Sequence, residues 1–273
     1  MLKLQEQISS AVDYIRSQTQ IAPQVAVVLG TGLGALAYQV EESVEIPYEE
    51  IPHFSLSTLE AHAGNLVLGT LEGKKVAVMQ GRFHYYEGYG MQEITFPIRV
   101  AKALGAETLI ASNAAGSMNE YIDPGNIMII TDHINLMGDN PLRGINDDSL
   151  GPRYPDMYGI YTPELVDLTY AIAMEKKIRV HKGIFVAVSG PNLETPAEYR
   201  FLRAAGADAV SMSTVPEVIV AVHSSMKVLG LSCITDKCTP DVLGPVDIGE
   251  IIQVANEIAP KLTQLVAEVI KRM

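Results

Sequence analysis

Short apolar runs alternate with longer stretches of mixed polarity along the chain. Runs of strand length occupy 24–30 (QVAVVLG), 65–71 (NLVLGTL), 75–81 (KVAVMQG), 107–112 (ETLIAS), 126–132 (NIMIITD), 183–190 (GIFVAVSG), 208–212 (DAVSM) and 227–235 (KVLGLSCIT). Most are continuous and rich in valine and isoleucine, the pattern of strands buried on both faces of a sheet. Helical periodicity fills several of the intervals, over 94–104, 163–176, 195–205, 214–225 and 248–273, and residues 1–20 read as an amphipathic helix. Such alternation predicts an α/β fold: one domain over 1–273 with a mixed, mostly parallel central β-sheet flanked by helices on both faces. The runs 65–71 and 75–81 are joined through Glu72, Gly73 and Lys74, a hairpin signal that makes part of the sheet antiparallel. Residues 133–162 form one long turn-rich stretch, and its aromatic and apolar content favours a functional loop over a disordered one.

Composition narrows the picture. With 273 residues, 48% of them hydrophobic, and a mean hydropathy of +0.16, the chain has ample material for one large α/β core. A formal charge of −12 argues against a protein that coats nucleic acid or lies on an anionic membrane, since both need a cationic surface. No apolar run reaches transmembrane length, and the polar N-terminal segment does not read as a signal peptide. Cys233 and Cys238 are too few for a disulfide framework and lack the partner Cys/His pair that zinc needs. The expectation is a cytoplasmic, reduced protein without a metal.

In open α/β sheets ligands lie beyond the carboxyl ends of the strands, so the residues that follow each run carry the most information. The first run ends in Gly30-Thr31-Gly32-Leu33-Gly34, whose amides and threonine hydroxyl could face an anion. A tight strand-to-helix turn is the plainer reading of that loop, which has neither dinucleotide-fingerprint spacing nor a P-loop Gly-Lys-Ser/Thr. The run 75–81 leads into Arg82, Phe83 and His84, and arginine presents a planar fork matched to phosphate. Tyr85, Tyr86 and Glu87 follow, residues that suit the wall of a polar pocket better than an open surface. His62 either joins the same site or caps a turn. Asn113-Ala114-Ala115-Gly116 offers small side chains and backbone amides to a ligand, or to a close helix crossing. In STVPEV, Ser213 or Thr214 is placed to cap a helix with Pro216 in its first turn and Glu217 near its positive end, where an anion could share the terminus with Ser213. In GPNLETPAEYR, Thr195 caps and Pro196 fits the first helical position. That leaves Glu194 to satisfy backbone amides or to bind the N–H edge of a base.

Taken in order, VVLGTGLG, HAGNLVLG, MQGRFHYYEGY, ITFPIRVAKALG, SNAAGSMN, DHINLMGDNPL, GPRYPDM, GPNLETPAEYR and SMSTVPEVIVA resemble the trimeric purine nucleoside phosphorylases, of the superfamily that also holds the methylthioadenosine phosphorylases. The resemblance covers essentially the whole chain. It implies reversible phosphorolysis of purine (2′-deoxy)ribonucleosides to the free base and α-(deoxy)ribose 1-phosphate. It places Thr31, His62, Arg82, Phe83, His84, the Ala114 backbone and Ser213 at phosphate, and Tyr86 and Met212 at the ribose. Glu194 would hold the purine N1–H edge, and Asp236 would sit near N7 and the 6-substituent. His84, Glu194 and Asp236 are then the candidate catalytic residues, and Tyr154 would enter the ribose site of a neighbouring subunit in a homotrimer. Inorganic phosphate is a co-substrate, and no organic or metal cofactor is implied.

Two positions depart from that pattern. The 6-oxopurine enzymes of the family carry asparagine where this chain has Asp236, and an ionised aspartate only accepts hydrogen bonds, which suits a 6-amino group. Ile248 stands near the position of the histidine that meets the 5′-hydroxyl, and an apolar group there suits a 5′-methylthio or 5′-deoxy substituent. Inosine and guanosine are therefore the default substrates, with adenosine or methylthioadenosine as the alternative. A catalytically impaired purine-binding protein and a nucleoside hydrolase are the remaining readings.

Overall fold

The computed structural model describes residues 3–30, 34–56, 64–239 and 247–273. The apolar runs become the middle of a nine-stranded sheet, and the most apolar of them, β1 (Val25–Leu29), is buried along its whole length. It lies between β4 (Lys74–Gln80) and β5 (Thr108–Ser117), parallel to both. β4 is the second arm of the predicted hairpin, antiparallel to β3 (Asn65–Leu71) with Leu71 opposite Lys74. Beyond it, β2 (Glu41–Pro47) forms an antiparallel edge.

On the other side of β5 the sheet curls. β6 (Ile127–Leu136), β7 (Val180–Val188), β8 (Ala209–Ser211) and β9 (Lys227–Lys237) follow in the order β5-β8-β7-β6-β9, and β9 returns to pair with β5. Five strands thus close into a barrel-like ring that shares β5 with the open part of the sheet. Pairings β6–β7, β7–β8 and β5–β9 are parallel, while β5–β8 and β6–β9 are antiparallel, so the sheet is mixed as predicted.

The strands differ from expectation in extent: β6 runs on to Leu136, β7 starts at Val180, β5 outlasts its apolar run and β2 was not foreseen. β5 does not stop at Ser112: Asn113, Ala114, Ala115 and Gly116 continue it, paired with β9 from Asn113↔Ser232 to Ser117↔Lys237. Small residues read as facing a ligand or a helix crossing instead extend the strand along β9, with β8 joining the other edge at Gly116 and Ser117. β2, with the sequence EESVEIP, was not legible as a strand because most of its residues are exposed and charged, as edge strands often are.

Helices cover both faces. α1 (Leu4–Gln18), α2 (Met91–Leu104) and α5 (Val215–His223) form one packed group, and α3 (Pro163–Glu175) lies against α6 (Ile248–Arg272) in another. α4 (Pro196–Ala204) presents Tyr199 and Leu202 to Met118, Val186, Val210 and Cys238, a small apolar cluster apart from the main core. Its start follows the prediction: Thr195 Oγ1 accepts from the Glu198 N–H at 3.2 Å, and the Glu198 carboxylate accepts from the Thr195 N–H at 2.7 Å.

α5 begins differently. Thr214 occupies the cap position with φ 69°, yet its hydroxyl does not cap the helix and is engaged by Asn113 and Arg82 instead. The long loop gives its first residues to β6. The remainder is pinned at Gly151, whose φ of 149° seats it so tightly on His223 that a Cβ would lie 2.0 Å from the His223 carbonyl oxygen. Among the described residues no helix is long and apolar enough to cross a membrane.

Candidate active site

A cavity of about 370 Å³ opens where the strand ends converge. Gly30 comes from the end of β1, Arg82, His84 and Tyr86 from the segment after β4, and Asn113, Ala114 and Gly116 from β5 itself. Val210 to Ser213 enter from β8 and the residues just after it, Thr235 and Asp236 from β9 and Cys238 from just beyond it, Glu194 from before α4, and Ile248, Ile251, Ile252 and Ala255 from α6. Gly30 is required by closeness: a Cβ there would lie 3.0 Å from both Asn113 Cα and the Ser112 carbonyl oxygen.

The Arg82 side chain is 2% exposed, and its position is fixed by four partners. Its Nε and Nη2 donate to the two carboxylate oxygens of Glu217 at 3.1 and 2.9 Å, and Nη1 donates to the Ser112 carbonyl at 2.7 Å. Nη1 also reaches Ser213 Oγ and Thr214 Oγ1, each at 3.2 Å. Glu217 was read from sequence as a carboxylate near a helix start; its actual partner lies 135 residues away in the chain. A bidentate fork of this kind aims the guanidinium as well as neutralising it.

His84 is oriented by Glu87, whose carboxylate accepts from the His84 backbone N–H at 2.7 Å and lies 3.1 Å from Nδ1. The proton on that edge of the ring is therefore held at Nδ1. Tyr86 stacks on the imidazole with centroids 4.7 Å apart. Burial, reinforced by Glu87, pushes the Tyr86 phenol up to about 12, so it remains a neutral O–H.

A second group of polar side chains lines the same cavity. Asp236 receives the Thr235 hydroxyl on Oδ1 at 2.7 Å and the Cys238 thiol on Oδ2 at 3.1 Å. Burial raises the Glu194 carboxyl above the ordinary glutamate range, the Tyr199 hydroxyl pulls it back, and Glu198 and Asp236 raise it further.

The cavity thus gathers Arg82, His84, Tyr86, Ala114, Glu194, Met212, Ser213 and Asp236, residues predicted from five separate segments. Phe83 is not brought in: its ring is buried among Tyr48 and Tyr89 in the main core. Tyr154 stands away from it, 86% exposed, on a separate cavity lined by His133, Arg143 and Arg153. Thr31 and His62 lie outside the described residues. Sequence reading missed Glu217, Tyr199 and Cys238. Cys238 did carry a signal, since it follows Asp236 by two residues, the spacing that puts side chains on one face of a strand. Among the described residues no group of three His, Cys, Asp or Glu side chains is placed to hold a metal ion.

Comparison with known proteins identifies the class to which this fold and cavity belong. Residues 24–271 match the phosphorylase superfamily. The chain is 48% identical over 266 residues to purine nucleoside phosphorylase 1 of Geobacillus stearothermophilus, covering 97% of each chain. It is 49% identical over 267 residues to purine nucleoside phosphorylase 1 of Bacillus subtilis (strain 168), covering 98% of each. It superposes with a TM-score of 0.94 on isoform 2 of purine nucleoside phosphorylase from Schistosoma mansoni in complex with cytosine and ribose-1-phosphate, 40% identical, covering 98% of this chain and 96% of that one. The chain belongs to the phosphorylase superfamily and, within it, to the purine nucleoside phosphorylases.

Proposed function

We propose that the protein catalyses phosphorolysis of purine (2′-deoxy)ribonucleosides, with inosine and guanosine as default substrates. One observation carries this reading: a single cavity is lined both by a cationic hydroxyl-bearing group, Arg82 with Ser213, and by a carboxylate pair, Glu194 and Asp236. The first suits phosphate and the second suits the N–H edge of a purine. Phosphate is held by Arg82, His84, Ser213 and the Ala114 backbone, with Thr31 and His62 completing the set. A phosphate oxygen attacks C1′ as the bond to the base nitrogen breaks. The bonding electrons leave with the base, which gains its proton at a ring nitrogen, and the sugar retains phosphate at C1′.

Positive charge grows on the sugar and negative charge on the base as that bond opens, so fixed groups of the right sign lower the barrier. Tyr86 and Met212 position the ribose. Glu194 accepts from N1–H, which requires its ionised form, and Asp236 faces the imidazole side and 6-substituent. No organic or metal cofactor takes part. In this reading the enzyme is a cytoplasmic homotrimer of purine salvage in which Tyr154 reaches a neighbour's ribose site. The exposure of Ile145, Tyr154 and Tyr158 on the long loop supports burial of that surface between subunits.

A second reading has its own observation. Ile248, Ile251 and Ile252 give the α6 side of the cavity an apolar wall, which favours a nucleoside whose 5′ position carries no hydroxyl. Base release from inosine, guanosine, adenosine and methylthioadenosine, each with and without phosphate, tests both readings. Phosphate-dependent turnover of inosine and guanosine is expected. Turnover of methylthioadenosine with both 6-oxopurine nucleosides inert would establish the second reading, and no release from any of the four would refute both. Light scattering on the purified protein tests the trimer.

A further inference from the structure

We propose that Cys238 is a positioning residue for base recognition, its thiol holding Asp236 in one orientation. The inference rests on the phosphorolysis reading and adds a residue that the reading does not use. The Sγ–H bond to Asp236 Oδ2 at 3.1 Å and the Thr235 hydroxyl on Oδ1 at 2.7 Å occupy both carboxylate oxygens from the protein side. The remaining lone pairs are what the base meets.

Three further features make this a built arrangement. The Cys238 backbone N–H donates to the Ser117 carbonyl at 2.7 Å, which fixes the residue just beyond β9. Gly116 leaves the room: a Cβ there would lie 2.3 Å from Sγ and 2.9 Å from Asp236 Oδ2. Tyr199, itself buried, packs with Cys238 in the small apolar cluster and lines the same cavity as Glu194. The thiol thus stands between the small apolar cluster and the Asp236 carboxylate, to which it donates.

The thiol is suited to donating and unsuited to reacting. Burial, and then the Asp236 charge, pushes the Cys238 thiol up, so the proton stays on sulfur. A thiolate in its place would set three negative groups side by side. Cys238 thus acts through Asp236 and does not touch the scissile bond.

Cys238→Ala removes the donor, Cys238→Ser restores one, and each is compared alone and in an Asp236→Ala background. For Cys238→Ala the expected result is a fall in kcat/KM for inosine of about ten-fold, the lower end for a hydrogen bond to a charged group. KM for phosphate is unchanged, and the inosine-to-adenosine preference shifts. Cys238→Ser recovers to within about three-fold of wild type, and Cys238→Ala adds nothing once Asp236 is alanine. Equal impairment of the Ala and Ser variants, wild-type behaviour of Cys238→Ala, or a full penalty persisting without Asp236 would each overturn the proposal. Wild-type turnover decides the parent reading by itself. If the wild type releases no base, calorimetric titration of the same variants with hypoxanthine and adenine decides the role of Cys238, with weakened binding in Ala restored by Ser expected and no difference overturning it.

Discussion

Removing Glu217 should damage the protein twice, once in stability and once in its use of phosphate. The Arg82 and Glu217 side chains are 2% and 6% exposed, so solvent screens their attraction very little. In Glu217→Ala the guanidinium loses two hydrogen bonds and its counter-charge while remaining buried, a change that costs about 3–5 kcal/mol. For a chain of this size each kcal/mol shifts Tm by roughly 2 °C, so a loss of roughly 6–10 °C is expected without phosphate. Adding phosphate should widen the gap, because a ligand stabilises according to its affinity and the variant holds phosphate more weakly. Glu217→Gln should resemble Ala, since its amide turns an N–H toward the guanidinium. The apolar pair Arg82→Met with Glu217→Leu should regain much of the stability and none of the activity. The assay is thermal unfolding by circular dichroism with and without phosphate, beside KM for phosphate. A drop in Tm below about 2 °C in Glu217→Ala would refute the claim that this pair fixes Arg82.

Other consequences are more local. Tyr86→Phe removes a neutral phenolic donor and should raise KM for the nucleoside about ten-fold while leaving KM for phosphate unchanged; parallel rises in both would contradict the ribose assignment. Gly116→Ala forces Sγ and Asp236 aside and should cost nucleoside kcat/KM at least about ten-fold with far less effect on phosphate binding, as read by steady-state kinetics. His133, His181 and His223 are all held below the free histidine value of 6.5, chiefly by burial. A group depressed on folding contributes stability that is complete above its unfolded value and is lost as pH falls through the folded one. The urea midpoint should therefore fall on acidification below about pH 6.5, and a flat or rising midpoint would exclude this linkage.

Much of the site was legible because strand ends are where chemistry collects in such sheets. Arg82, His84 and Tyr86 announce themselves as polar residues directly after a buried run, and Glu194 as a carboxylate left outside a capped helix. Glu217 was not legible in the same way. Its local role as an acidic residue in a first turn is plausible in isolation, and only the approach of α5 to the end of β4 reveals the arginine. The same holds for Thr214, where a demand from Asn113 and Arg82 outweighs helix capping. The ring closure was hidden for a different reason: pairing between β5 and β9 is a relation between segments more than a hundred residues apart, and the small residues 113–116 read as facing a ligand or a helix crossing. β2 was missed because an exposed, charged edge strand lacks the alternation that betrays a half-buried one.

Sharing β5 between the open sheet and the ring has a mechanical meaning. Asn113, Ala114 and Gly116 belong to a strand that β9 pairs along its whole length, with β1 on the other edge up to Ala111 and β8 at Gly116 and Ser117, so the cavity floor is anchored on either side of the residues that line it. Accommodation is left to the rim, above all to the first turn of α6, where Ile248 and Ile252 line the cavity while remaining substantially exposed. An enzyme arranged this way changes its substrate range most readily at that rim, where replacements disturb no strand pairing.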